Sequence, residues 1–318
     1  INTPIATISY AVGGSGTGGS VSGLPAGVTG SYAGGVITIT GTPTISGTFN
    51  YTVSTTGPCV NPNATGTITV DPDATITLTS APPTTNQELC VNATLTNITY
   101  AVGATGSGAT VAGLPAGVTG VYSGGTFTIS GVPTASGVFN YTVTTTGICA
   151  PASATGTITV NALPTANFNA SVPSCESGVI NFTDLSVPNS GNIISWDWDF
   201  GDGGTSTQQN PTHTYAAAGT YSVLLIVTTD KGCISTTPSQ QVTIYSKPLA
   251  GFIVPEVCLN DTYAQFTDTS SVPAPDNITQ WNWDFGDGGT STLQNPQHSY
   301  TATGSYLVRL ITTTNRGC

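Results

Sequence analysis

The chain repeats itself, and the repeat decides what it can become. Ile8-Ser-Tyr-Ala-Val-Gly returns as Ile98-Thr-Tyr-Ala-Val-Gly, Gly23-Leu-Pro-Ala-Gly-Val-Thr-Gly returns from Gly113, and Gly47-Thr-Phe-Asn-Tyr-Thr-Val returns as Gly137-Val-Phe-Asn-Tyr-Thr-Val, each 90 residues on without a gap. A second, different pair follows: Trp196-Asp-Trp-Asp-Phe-Gly-Asp-Gly-Gly-Thr-Ser-Thr comes back as Trp281-Asn-Trp-Asp-Phe-Gly-Asp-Gly-Gly-Thr-Ser-Thr, 85 residues later. Self-similarity at a fixed period marks tandem modules, each a unit of its own. The frames divide the chain into residues 1–71, 72–162, 163–246 and 247–318. They also imply that the outer two are incomplete. The counterpart of Ala74-Thr-Ile-Thr-Leu-Thr would lie before residue 1, and that of Gln241-Val-Thr-Ile-Tyr would lie after Cys318. We expect a window from a longer array rather than two truncated caps, because capping modules usually diverge.

Within the modules the period is two. Val36-Ile-Thr-Ile-Thr and Phe49-Asn-Tyr-Thr-Val alternate apolar and polar residues between Gly and Pro, and Phe127-Thr-Ile and Phe139-Asn-Tyr-Thr-Val repeat the pattern. Side chains two apart share a strand face, so Ile194, Trp196, Trp198 and Phe200 are expected on one side, with Asp197 and Asp199 on the other. Short strands at this spacing, with no helical period, predict an all-β chain of tandem immunoglobulin-like β-sandwiches in an extended array.

Charge narrows the function classes. Four basic residues (Lys231, Lys247, Arg309, Arg316) face fifteen acidic ones, and residues 1–162 hold only Asp71, Asp73 and Glu88. With no Lys/Arg patch to neutralise phosphates, nucleic acid and acidic membrane surfaces are not expected partners. Apolar runs such as Val223 to Val227 fall far short of the ~20 residues of a membrane helix, so membrane insertion is not expected.

Seven cysteines fit the repeat frame. Cys90 and Cys149 lie in the second unit, Cys175 and Cys233 in the third, Cys258 and Cys318 in the fourth; Cys59 corresponds to Cys149, and its partner would fall just before residue 1. One bridge per module is the simplest pairing: Cys90–Cys149, Cys175–Cys233 and Cys258–Cys318. Each would contribute about 4 kcal/mol in the chain-entropy model and would place the chain in an oxidising compartment, extracellular or at the cell surface. Free thiols and metal sites are the competing readings, but no Cys-x-x-Cys spacing occurs.

Residues 164–246 and 248–318 resemble PKD (polycystic kidney disease) domains. The carrying residues are Trp198-Asp-Phe-Gly-Asp-Gly, Asn210-Pro-Thr-His-Thr-Tyr and Gly219-Thr-Tyr-Ser-Val-Leu-Leu-Ile-Val, then Trp283-Asp-Phe-Gly-Asp-Gly, Asn295-Pro-Gln-His-Ser-Tyr and Gly304-Ser-Tyr-Leu-Val-Arg-Leu-Ile. The resemblance implies an immunoglobulin-like sandwich used as a spacer or interaction module. Residues 1–162 resemble, less specifically, bacterial putative-Ig and cadherin-like repeats, through Gly23-Leu-Pro-Ala-Gly-Val, Ile39-Thr-Gly-Thr-Pro-Thr and Gly47-Thr-Phe-Asn-Tyr-Thr-Val. The acidic ligands by which true cadherins bind calcium have no counterpart. The mixture resembles the giant surface adhesins of Bacteroidota exported by the type IX system.

Three sets of residues compete for a functional role. Asp197, Asp199 and Asp202, with Asp284 and Asp287, form the densest acidic cluster. As a hard-cation site they would hold Ca²⁺; as turn formers they would cap Phe-Gly-Asp-Gly through side-chain-to-backbone bonds. The second reading is favoured, because Asp and Gly are ordinary turn formers, and Asn282 standing where Asp197 stands in the other copy weakens the cation site further. His213 and His298 recur in Asn-Pro-x-His-x-Tyr without a triad or metal motif, which fits a local hydrogen-bonder better than a general base. Trp196, Trp198, Trp281 and Trp283 could stack on sugars, but a face shared with Ile194 and Phe200 favours burial of Trp198 and Trp283, leaving one outer Trp per module partly exposed. No Gly-x-Ser-x-Gly elbow occurs. No catalytic residue and no cofactor are therefore expected. The sequence reads as a structural, adhesive stalk or fibre whose partners are copies of itself or other surface proteins. A glycan- or protein-binding module and a non-catalytic spacer in a secreted hydrolase are the alternatives.

Overall fold

The computed structural model describes residues 1–172, 174–256, 258 and 261–318. It is all-β: among the described residues the one helical element is the 3-10 turn Pro82–Thr85, and no helix is long and apolar enough to cross a membrane. The chain forms two compact units, Ile1–Ala162 and Leu163–Cys318.

Each half of the first unit is a two-sheet sandwich. Its second half packs the sheet Val118–Ser123, Thr126–Gly131, Ile98–Gly103 and Thr75–Leu78 against the sheet Gly106–Ala112, Gly137–Gly147, Ser153–Asn161 and Asn86–Cys90, the last strand running parallel to its neighbour. The first half has the corresponding strands Val28–Ala33, Val36–Gly41 and Ile8–Ala11 facing Gly18–Ser22, Gly47–Thr56 and Asn63–Val70, three to each sheet. Period-two alternation does the work: Ile37 and Ile39, and their counterparts Phe127 and Ile129, point inward and are buried. Each core also encloses a polar pair, Tyr10 with Tyr51 at 2.8 Å and Tyr100 with Tyr141 at 3.1 Å between hydroxyls. Buried hydroxyls need partners, and these two provide each other's. Gly66 and Gly156 lie beneath the Tyr51 and Tyr141 rings, where a Cβ would collide with the phenol.

In the second unit the sandwich at residues 163–246 sets the sheet Phe168–Ala170, Val179–Asp184, Thr212–Thr214 against Thr205–Ser206, Ile193–Asp199, Gly219–Thr229 and Ile234–Thr236. A closing strand, Gln240–Ile244, pairs antiparallel with the first half of Gly219–Thr229. Between the sheets lie Phe168, Phe182, Trp198, Phe200, Tyr215, Val223, Leu225, Val227, Val242 and Ile244, all buried. The module at 247–318 repeats the arrangement around Phe266, Trp283 and Phe285. Burying a large apolar side chain contributes roughly 1.5–3 kcal/mol, so these aromatics dominate the stability of both modules.

Two expectations are corrected. Ile194 does not share the inward face with Trp198 and Phe200; it is exposed. A bulge between Ile193 and Ser195 shifts the alternation by one residue, so Ile193 packs on the core instead. The cysteine pairing is also different. Cys175 is bridged to Cys318, not Cys233, while Cys59, Cys149 and Cys258 carry free thiols. One geometric reason rules out all three within-module pairs. Cys175 sits beside Tyr245, at the Gly219 end of the 11-residue strand Gly219–Thr229, and Cys233 sits at its Thr229 end. That strand is about 35 Å long, whereas bridged Cα atoms must approach within about 7 Å. Cys90 and Cys149 likewise flank opposite ends of Gly137–Gly147. Cys258 lies near Gly304, and Cys318 bonds to Thr314 at the far end of the following strand.

Candidate functional site

The residues singled out by the sequence converge on one feature, built twice. After Ile193–Asp199 the chain must reverse at once, and Gly201 and Gly203 do so at φ +80° and +92°, which other residues avoid. Asp199 Oδ1 accepts the Gly201 N–H at 2.9 Å and Asp202 Oδ1 accepts the Gly204 N–H at 2.9 Å. The other oxygen of Asp202 accepts from His213 Nε2 at 2.8 Å. The imidazole lies flat on Phe200 (4.2 Å between ring centres, 7° between planes) and edge-on to Tyr215, whose hydroxyl donates to the Phe200 carbonyl at 3.0 Å. Tyr221 stacks on Tyr215 and extends the column. The second copy agrees closely: Asp287 Oδ2 to His298 Nε2 at 2.8 Å, His298 on Phe285 at 4.1 Å and 8°, and Tyr300 OH to the Phe285 carbonyl at 3.2 Å.

These bonds set the electrostatics. Burial opposes ionisation of Asp202, but the hydrogen bonds from His213 and Gly204 outweigh it and hold the carboxyl below its ordinary range. The His298 and Gly289 bonds lower Asp287 in the same direction. Burial raises the Tyr215 phenol, and the carboxylate of Asp202 adds to that rise.

The arrangement is a clasp. A His–Asp pair is part of a nucleophilic triad, yet here the imidazole gives Nε2 to the carboxylate and its face to a phenyl ring. Among the described residues no Ser, Thr or Cys side chain hydrogen-bonds to either histidine. Of the five acidic candidates, the turns gather Asp199 with Asp202 and Asp284 with Asp287, leaving Asp197 on the exposed face of its strand. Among the described residues, no three His, Cys, Asp or Glu side chains come together as a metal-holding group. Trp198 and Trp283 are buried, their indole N–H groups donating to the Gln208 and Leu293 carbonyls at 2.8 and 2.9 Å. Trp196 and Trp281 are half-buried.

Asp184 and Asp268 escaped the sequence reading. Asp184 accepts from Trp196 Nε1 at 2.7 Å and from Gln209 and Ser186, and Asp268 accepts from Trp281 Nε1 at 2.8 Å and from Gln294 and Ser270. Each ties the outer Trp to the opposite sheet. The recurrence of Phe182-Thr-Asp as Phe266-Thr-Asp was the available signal.

Comparison with known proteins follows these modules. The family described as PKD domain matches residues 161–244 and 245–318, so the second unit carries two PKD repeats. Collagenase ColQ1 of Bacillus cereus is 47% identical over 73 residues, covering 23% of this chain and 8% of its own. Pre-pro-metalloprotease PrtV of Vibrio cholerae is 46% identical over 74 residues, covering 23% and 8%. The chain thus spans less than a tenth of these relatives. A three-domain fragment of the titin I-band superposes with a TM-score of 0.52 at 10% identity, covering 78% of this chain and 94% of the fragment, a likeness of immunoglobulin-type fold.

Proposed function

We propose that the chain is a non-catalytic segment of a large, repetitive extracellular surface protein, a stalk that carries or forms an adhesive surface. The observation carrying this reading is that the densest cluster of polar and titratable residues is reproduced in both PKD modules and closed on itself in each. Its carboxylates, imidazole and phenol are committed to turn amides, an aromatic ring and a carbonyl. Such a clasp replicates a shape. The Cys175–Cys318 bridge supports an oxidising location, and the near absence of basic residues disfavours polyanionic partners. The Bacteroidota adhesin resemblance belongs to this proposal too.

A second reading has its own support. Relatives named as a collagenase and a metalloprotease carry modules similar to these, so the segment would serve as a spacer or substrate-binding accessory of a secreted hydrolase. Titration of the full chain against collagen and a glycan panel separates the two. The stalk reading predicts no saturable binding and no turnover; saturable binding to either favours the accessory module, and turnover overturns both.

A further inference from the structure

The module at residues 72–162 has four edge strands, and three of them carry a feature that discourages pairing with another chain. Asn86–Cys90 holds Glu88, Gly106–Ala112 is interrupted by a bulge between Gly106 and Gly108, and Thr75–Leu78 is only four residues long. Val118–Ser123 has none of these. It runs six residues in unbroken register along Thr126–Gly131, with no charge and no proline, and stands at the end of its sheet. The Val132 N–H donates to the Gly117 carbonyl at 3.1 Å, and hydrogen-bonded and non-hydrogen-bonded pairs alternate along an antiparallel ladder. Thr119, Val121 and Ser123 therefore spend their backbone groups on Thr126–Gly131. Gly120 and Tyr122 turn theirs to the open side, where among the described residues no strand and no loop meets them. On the outward face of the strand, between Thr119 and Ser123, Val121 is 59% exposed.

We propose that Val118–Ser123 is a dimerisation edge. Two copies of this chain join their sheets there by pairing the strand with itself, antiparallel about a two-fold axis at Val121, so that the same patch serves both partners. The register follows from the open groups. Gly120 exchanges both of its backbone hydrogen bonds with the partner's Tyr122, and Tyr122 does so with the partner's Gly120. Centring the axis on Gly120 instead would call on the Val118 N–H, which already donates to the Pro115 carbonyl at 3.1 Å. With Val121 on the axis, the two valines form a non-hydrogen-bonded pair, the kind that brings side chains closest across strands. Thr119 then lies opposite the partner's Ser123, hydroxyl to hydroxyl. Charge singles out a second copy as the occupant. Residues 1–162 hold three acidic residues and no basic one, while most of the chain's negative charge lies in residues 163–318. Pairing this edge with itself therefore sets no like charges opposite each other. The equivalent strand of the first module, Val28–Ala33, is equally uncharged but has Ser31 where Val121 stands, and so lacks the apolar pair that fixes the register. The inference goes beyond the stalk reading and holds equally for an accessory module.

The test is sedimentation equilibrium of the full chain, with its free thiols alkylated by iodoacetamide so that covalent dimers are not counted. The parent chain should show a reversible monomer–dimer equilibrium. Val121→Lys sets two like charges opposite each other and should weaken the dimer roughly tenfold or more. The circular dichroism of the monomer should stay unchanged, because the side chain is exposed. Val121→Glu should weaken the dimer in the same way. Mixing the Val121→Lys chain with the Val121→Glu chain should restore association, since an axis at residue 121 brings the opposite charges together. Ser31→Lys should leave the dimer as it was. A parent chain still monomeric at about 1 mM would overturn the proposal. So would a dimer indifferent to Val121→Lys, a mixture no tighter than either variant alone, or an equal loss with Ser31→Lys.

Discussion

The two PKD modules carry almost the same aromatic column, but Gln240–Ile244 completes the core of the first, and the counterpart of that strand would lie after Cys318. Among the described residues, the first buries twelve in a single cluster and the second four. Tyr215, Val223 and Leu225 are fully enclosed, whereas Tyr300, Val308 and Leu310 are half-exposed. The turn, the His–Asp clasp and the stacked rings are the same to within a few tenths of an ångström in both. The motif by which these modules are recognised orders one end of the sandwich, and in the first module Gln240–Ile244 completes the core by covering the other.

The largest expected effect comes from making Cys175 resemble its free counterpart Cys258. Cys175→Ser removes a bridge closing a loop of 143 residues, worth about 5 kcal/mol in the chain-entropy model. Denaturant unfolding of the second unit should shift to lower midpoint by that order. An unmoved midpoint would mean that the bridge does not constrain this unit.

Next in size is Ile244→Ala, which empties the deepest position of the closing strand and should cost about 2–5 kcal/mol. It should loosen the pairing of the closing strand, with amides at Gly219–Val223 exchanging faster. Unaltered exchange there would detach the closing strand from core integrity.

Smaller still is His213→Gln, which removes the ring stacked on Phe200 and the bond to Asp202, an expected loss of about 1 kcal/mol. His298→Gln should cost a similar amount, since its clasp has the same geometry. A loss confined to one copy would show that the clasps are not equivalent. The smallest effect is acid sensitivity. Asp202 and Asp287 have folded-state values held below the ordinary carboxyl range. Their contribution is therefore complete above about pH 4 and is lost as pH falls below it toward the depressed folded values. Asp202→Asn should remove part of this acid dependence, visible as a shallower decline of midpoint between pH 4 and pH 2; an unchanged slope would contradict the assignment.

Much of this was legible in the residues themselves. Alternation placed Ile37, Ile39, Phe127 and Ile129 inward, and the Phe-Gly-Asp-Gly turns were readable as side-chain-capped reversals because Asp and Gly have few other uses in that spacing. Three features were not. The bulge that turns Ile194 outward depends on pairing with Gly219–Thr229, which local alternation does not encode. The cysteine error came from reading spacing without ends: about 60 residues separate the two cysteines of a module, but they cap opposite ends of one long strand. Asp184 and Asp268 meet Trp196 and Trp281 only across the sandwich, so nothing near them in sequence announced the contact.

The central claim is that Gln240–Ile244 completes the core of the first PKD module, and amide exchange tests it most directly. In the unmodified chain Gly219–Val223 should exchange slowly, with protection comparable to the rest of its strand. In a chain carrying both Val242→Asp and Ile244→Asp the same amides should exchange roughly tenfold faster or more. Equal, strong protection of Gly219–Val223 in both chains would contradict the account, because the core would then be closed without the strand held to complete it.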